Sequence, residues 1–141
     1  MSQEVIPPKR IHKLAIKNGD EVLIVRRSKL NAYYPEYWGF PTAFTDDFDV
    51  DPTTEQLAEA VKKQYNINVT DVTFRKNYEI TLPDDFDETI AIYDAKTEDT
   101  EVRLDLKHTE YKWLAIKDMV HYPLLPSIEQ CLKDQKPPTD E

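Results

Sequence analysis

The chain has 141 residues, 40% of them hydrophobic and 32% charged, with a formal net charge of −9. That length suits one domain with a real core, and the acidic balance excludes a nucleic-acid polymer as the main partner, because such a partner calls for a basic face. No apolar run is long enough to span a bilayer. Met1-Ser2-Gln3-Glu4 lacks the basic-then-apolar order of a secretory signal, and a single cysteine, Cys131, excludes an internal disulfide, so a cytoplasmic setting is expected.

In chain order, residues 1–10 carry Pro7-Pro8 without periodicity and read as an arm. Ile11 to Lys17 and Glu21 to Arg27 form a hairpin, whose Asn18-Gly19 predicts a type I′ turn with positive φ. The run Val22-Leu23-Ile24-Val25 predicts a strand buried on both faces. A polar and aromatic loop covers Ser28 to Tyr37, a short strand lies near Trp38 to Phe40, and an acidic loop follows from Thr45 to Asp51. Helix is expected from about Thr53, started by Asp51 before Pro52 or by a Thr53–Gln56 capping box. Leu57, Val61 and Tyr65 form its apolar stripe, and Asn66 suits a left-handed cap.

Strand signals dominate the second half. Val72, Phe74, Tyr78, Ile80 and Leu82 share one parity, which predicts one half-buried face. Pro83-Asp84-Asp85 interrupts, Thr89 to Ala95 reads as the next strand, and alternating Val102, Leu104 and Leu106 predict another. Tyr111 to Ile116 closes the strand set. Ser127 is the expected cap of a last helix with Ile128, Cys131 and Leu132 inward. Residues 11–133 then form the domain, with an arm at 1–10 and a polar tail at 134–141.

Several residue groups invite chemistry. From Asp46 to Glu59 there are six carboxylates and no Lys or Arg, and Asp84, Asp85, Asp87 and Glu88 make a second cluster. Either attracts divalent cations or forms a solvated face. Asp47, Asp49 and Asp51 alternate like a calcium loop, but Pro52 stands where that loop needs glycine. His12, His108 and His121 share no metal-ligand spacing, and Cys131 lies on an apolar stripe as a core residue. Tyr33, Tyr34, Tyr37, Trp38 and Phe40 line a stacking pocket or pack the core, with Trp38 and Phe40 closer to packing. Arg26 and Arg27 contact phosphates or face solvent. With only Gly19 and Gly39 in the chain, glycine-rich phosphate loops are excluded.

The ordered pieces Val22 to Ser28, Tyr33-Tyr34-Pro35-Glu36-Tyr37-Trp38-Gly39-Phe40-Pro41, Thr54 to Ile67, His108 to Leu114 and Leu124-Leu125-Pro126 together resemble the Nudix (MutT-like) hydrolases. The resemblance implies a Nudix-like α/β/α sandwich with a mixed β-sheet. It also implies a signature helix whose glutamates gather Mg²⁺ or Mn²⁺ on a diphosphate. Anchored on Val61 and Asn66-Ile67, the signature arginine becomes Glu59 and the glutamate after it Ala60. The glutamate pair becomes Lys63-Gln64, the isolated upstream glutamate falls on Asp51, and the paired glycines become Thr42-Ala43. Lys63 puts a cation where a hard metal needs oxygen, and Ala60 offers nothing.

The reading is a degenerate Nudix-type protein that binds a small phosphorylated or nucleotide-like ligand, through Arg26, Arg27, Tyr34 and Trp38, or a protein partner. A homodimer, through the hairpin or the arms, is a further possibility. The alternative is a working metal-dependent pyrophosphohydrolase with carboxylates relocated to Asp51, Glu55 and Glu59, with Glu110 in addition. Glu59 and Lys63, at i,i+4 spacing, otherwise make a self-neutralised face.

Overall fold

The computed structural model describes residues 10–30, 33–43, 52–81, 87–104 and 108–134. Strand β1 (Arg10–Asn18) turns into β2 (Glu21–Arg27) with Asn18 opposite Glu21. The two-residue loop is therefore Gly19-Asp20, one step later than the Asn18-Gly19 turn expected. Gly19 alone has positive φ, +61°, the pattern of a type II′ turn, which needs glycine only at its first central position. The strands pair only next to this turn, at Lys17–Val22 and Asn18–Glu21, and then separate.

The gap between them is filled by one short segment. Its strand β3 (Trp38–Gly39) pairs with β2 at Val25 and Arg26, and its strand β4 (Thr42–Ala43) pairs with β1 at His12 and Lys13. The other edge of β2 is taken by β7 (His108–Ala115), and the other edge of β1 by β6 (Asp87–Thr97), which also pairs with β5 (Val69–Thr81). Among the described strand pairs β1–β6 is parallel and the others antiparallel, so the sheet is mixed.

Helix α1 (Thr54–Tyr65) covers one face. The capping box is the start signal that forms: the Thr53 hydroxyl accepts from Gln56 N at 3.1 Å and the Gln56 side chain accepts from Thr53 N at 2.8 Å. Asp51, the other expected cap, lies outside the described residues. Asn66 ends the helix at φ 60°, ψ 38° and donates its N–H to the Lys62 carbonyl. Leu57, Ala60, Val61 and Tyr65 pack there against Leu14, Ile16, Leu23, Val25, Ala91 and Tyr93. The opposite face carries a 3₁₀ helix (Ile116–His121) and α2 (Pro126–Asp134), which bring Met119, Ile128 and Cys131 against Ala15, Val22, Ile24, Ile90 and Ile92. The sheet is thus buried on both sides between helical layers, the α/β/α sandwich expected.

Four local expectations change. Strand β5 does not keep one apolar parity: its register with β6 shifts between Thr70 and Thr73 and again between Phe74 and Lys76. Each bulge inserts a residue and moves the side chains after it to the other face. Val69 and Val72 therefore pack on the α1 side, Tyr78 and Ile80 on the α2 side, and Phe74 is 48% exposed. No strand forms at residues 98–104; Val102 and Leu104 still lean on the α1-side core, while Arg103 donates its N–H to the Tyr65 carbonyl and its guanidinium to the Lys63 carbonyl. Leu106 lies outside the described residues. Ile116 opens the 3₁₀ turn rather than ending β7, and α2 starts at Pro126. Ser127 is therefore inside that helix, and the Leu125 carbonyl receives its first N–H bonds, from Ile128 and Glu129, as suits proline at a first helical position.

Candidate functional site

On α1, two of the residues that the resemblance sets at signature positions, Ala60 and Gln64, make structural contacts. Ala60 is buried in the core under the sheet. Gln64 donates its side-chain amide to the Thr42 carbonyl at 3.2 Å, and the Tyr65 hydroxyl reaches the same oxygen at 3.5 Å. Glu55, Glu59 and Lys63 are exposed, and no ion pair joins Glu59 to Lys63 among the described residues. Their i,i+4 spacing places them as neighbours without holding them together, as is common for solvated pairs.

Where β1 and β2 separate, the inserted segment leaves a cleft of about 230 Å³ on the α2 side. Its floor and walls come from Lys13 on β1, Thr42 on β4, Ile80 and Ile90 on the far strands, Glu88 at the start of β6, and Leu125 to Ser127 at the head of α2. Arg27, Tyr33, Tyr34 and His108 line its remaining sides. Tyr34 sits at φ 50° and Glu36 at φ 65°, left-handed values for residues other than glycine. This conformation costs of order 1 kcal/mol each. The turn is held by Tyr37 N–H to the Tyr34 carbonyl at 3.2 Å and by Arg27 N–H to the Tyr37 carbonyl at 2.8 Å. The two left-handed residues thus shape the turn that carries Tyr34 into the cleft lining. Gly39 permits the opposite wall, since a Cβ there would meet Leu125 Cδ1 at 2.5 Å.

Lys13 dominates the chemistry of the cleft. Its residue is 6% exposed, and the ammonium donates to Thr42 Oγ1 at 3.0 Å. Burial, together with the nearby Arg27 charge and against the pull of Glu88, lowers its pKa from the ordinary 10.5 to about 8. Arg27 is also held below its ordinary value, by burial and against Glu88. The cleft therefore concentrates two cations and one carboxylate, partly desolvated, in a protein of net charge −9.

Of the residues singled out from sequence, Arg27, Tyr33, Tyr34 and His108 line this cleft. Arg26 points elsewhere and forms exposed ion pairs with Glu36 at 3.0 Å and Glu110 at 2.8 Å. Glu110 is thereby engaged away from the helix carboxylates. Trp38 is 4% exposed and meets Tyr122 edge-on at 5.6 Å, as packing. Asp51, Asp84 and Asp85 lie outside the described residues. Lys13 and Ser127 were missed as cleft residues, and Glu88 was read only as part of an acidic cluster. A usable signal existed for Lys13: it shares strand parity with Ile11 and Ala15 in a segment apolar on both faces, which places its side chain inward. Cys131 is buried, as expected, and accepts from Arg75 Nη1 at 2.7 Å. Arg75 also binds Asp94 through both nitrogens of its fork.

The donor set does not fit a divalent cation among the described residues. No three His, Cys, Asp or Glu side chains converge there, and the signature positions offer a buried methyl, an ammonium and an engaged amide. No helix is long and apolar enough to cross a membrane.

Neither a protein-family model nor a curated protein matches this chain. Solved structures do. A MutT Nudix hydrolase from Burkholderia pseudomallei superposes with a TM-score of 0.76 at 18% identity, over 93% of this chain and 100% of that one. The Nudix domain of Shewanella oneidensis NrtR, solved with ADP-ribose, gives 0.73 at 15% identity over 92% and 86%. An Ap4A hydrolase from C. elegans gives 0.66 at 16% identity over 89% and 93%. The mixed sheet in the α/β/α sandwich, with its sandwiched signature-position helix, is the Nudix fold.

Proposed function

We propose that this Nudix-fold chain binds a small nucleotide-like or otherwise phosphorylated ligand in the Lys13–Arg27 cleft, without efficient hydrolysis of a diphosphate. The observation that carries the reading is the pairing of a buried cation, Lys13, and a half-buried one, Arg27, with a tyrosine-lined rim, in a protein of net charge −9. Cations favour phosphate oxygens, and an aromatic face offers about 1–3 kcal/mol per stacked base. Support for the lack of turnover is the use of Ala60 and Gln64 in packing, since a phosphoryl-type transition state without its charge stabilisers loses several kcal/mol. The NrtR domain and the Ap4A hydrolase suggest ADP-ribose and a dinucleoside tetraphosphate as first probes.

The partners proposed are thus small molecules rather than a nucleic-acid polymer or a membrane. A protein partner and a homodimer remain secondary readings that solution scattering at several concentrations decides. A cytoplasmic setting goes with the single buried thiol. Calorimetry with ADP-ribose in EDTA should give a binding isotherm that Arg27→Met weakens. Incubation with Mg²⁺ or Mn²⁺ and either probe should release no phosphate-containing product at enzyme rates. Turnover that disappears in Glu55→Gln and Glu59→Gln would instead establish the metal-dependent hydrolase built on Asp51, Glu55 and Glu59.

A further inference from the structure

Lys13 is a buried ammonium with three protons to donate and one hydrogen bond, to the neutral Thr42 hydroxyl. No acidic side chain forms an ion pair with it among the described residues; Glu88 acts on it only through space. A buried charge left this way is expensive, and proteins tolerate it where something else completes the shell. The first turn of α2 supplies a second cue from another element. Pro126 and Ser127 line the same cleft; Pro126 has no N–H and those of Ile128 and Glu129 already bond the Leu125 carbonyl, so the cue there is the helix dipole, which favours negative charge, together with Ser127. Ser127 is 3% exposed and adds a hydroxyl. Lys13, Arg27 and Glu88 sum to one unit of formal positive charge, and on the floor it is carried by Lys13.

We infer that the floor of the cleft is a socket for a singly charged oxyanion, of carboxylate type, carried on a flat ring. The aliphatic walls formed by Ile11, Ile80, Ile90 and Leu125 take that ring, Lys13 and Ser127 take its acidic edge, and Arg27 with the tyrosines takes what projects toward the rim. A phosphate dianion does not match the floor, because its second charge has no counterpart beside Glu88. This inference rests on the ligand-binding reading above and narrows it to ligands whose buried ring is itself acidic. Lys13 is then the residue that determines specificity, and Thr42 positions it: its hydroxyl accepts from Lys13 while its carbonyl is held by Gln64.

A matched pair of probes tests this. Orotidine 5′-monophosphate and uridine 5′-monophosphate differ by one ring carboxylate, and each is titrated calorimetrically into the full chain at pH 7 without metal. The carboxylate should tighten binding by about tenfold or more, the range of a charge-assisted hydrogen bond in a partly dry site. Lys13→Met should abolish that difference, the orotidine compound losing more affinity than the uridine compound does. Lys13→Gln, which keeps a donor for Thr42 without the charge, should behave as Lys13→Met does. Equal affinities in the parent protein overturn the carboxylate socket and leave the ligand-binding reading standing. So does a loss in Lys13→Met that is the same for both probes, because that puts the phosphate on the lysine. Failure of these probes and of ADP-ribose to bind at millimolar concentration removes the ligand-binding reading and this inference with it.

Discussion

Replacing Lys13 by methionine should make the protein more stable, by an amount that depends on pH in a specified window. The folded-state pKa of about 8 lies below the ordinary 10.5, so folding disfavours the protonated amine. Each pH unit of displacement corresponds to about 1.4 kcal/mol. The penalty is therefore about 3 kcal/mol, fully present below pH 8 and relieved as the pH rises from 8 to 10.5, where the unfolded chain holds the proton and the folded chain has released it. Methionine keeps most of the apolar stem and loses the hydrogen bond to Thr42, worth about 1 kcal/mol. The net gain at pH 7 is about 2 kcal/mol, or a rise of roughly 6 °C in Tm for a chain of this size. Urea unfolding of both proteins from pH 6 to 10.5 measures it, and other titrating groups cancel in the difference. The advantage of Lys13→Met should be flat below pH 8 and shrink above it. A variant that is less stable at pH 7, or a difference independent of pH, refutes the buried, charge-penalised lysine. Stabilisation on losing a residue is what a binding site under strain produces.

Other outcomes follow from single contacts. Thr53→Ala removes the accepting half of the capping box and should cost about 1 kcal/mol in chemical denaturation. Gly39→Ala drives a methyl into Leu125 at the cleft wall; it should lower stability by about 1–3 kcal/mol and weaken ADP-ribose binding through a displaced wall. Rebuilding the signature glutamates should fail unevenly. Lys63→Glu sits at an exposed position and should change stability by less than about 0.5 kcal/mol, whereas Ala60→Glu forces a carboxylate into the core beneath the sheet and should cost several kcal/mol. Thermal melts of the two single variants, compared side by side, separate these cases; equal melting temperatures refute the packing role given to Ala60.

Much of the fold was legible because local signals agreed with one another. The stripe Leu57, Val61 and Tyr65, the Thr53–Gln56 box and the Asn66 cap each depend on neighbours within a turn or two, and each forms as the pattern implies. The run Val22 to Val25 is apolar throughout and is buried on both faces. Errors arose where one residue of register matters. A one-step shift moved the hairpin loop to Gly19-Asp20, and two bulges in β5 turned one parity into two faces. The segment at Val102 and Leu104 alternates like a strand but spends its backbone on α1 instead, through Arg103 to the Tyr65 carbonyl.

The linear sequence by itself determined the layers and the residue types at Ala60, Lys63 and Gln64, which the Nudix resemblance aligns with signature glutamates. Both follow from residue type and spacing along a few consecutive turns or strands: Ala60, Lys63 and Gln64 cannot supply carboxylates in any fold. Tertiary structure alone decided where the charge went instead. Lys13, Arg27, Glu88 and Ser127 come from four separate elements, and nothing in their local patterns tells that β1 and β2 diverge to admit Trp38 to Ala43 between them. That divergence opens the cleft and buries the lysine, and burial is what turns an ordinary strand residue into a charge-penalised cation facing the cleft.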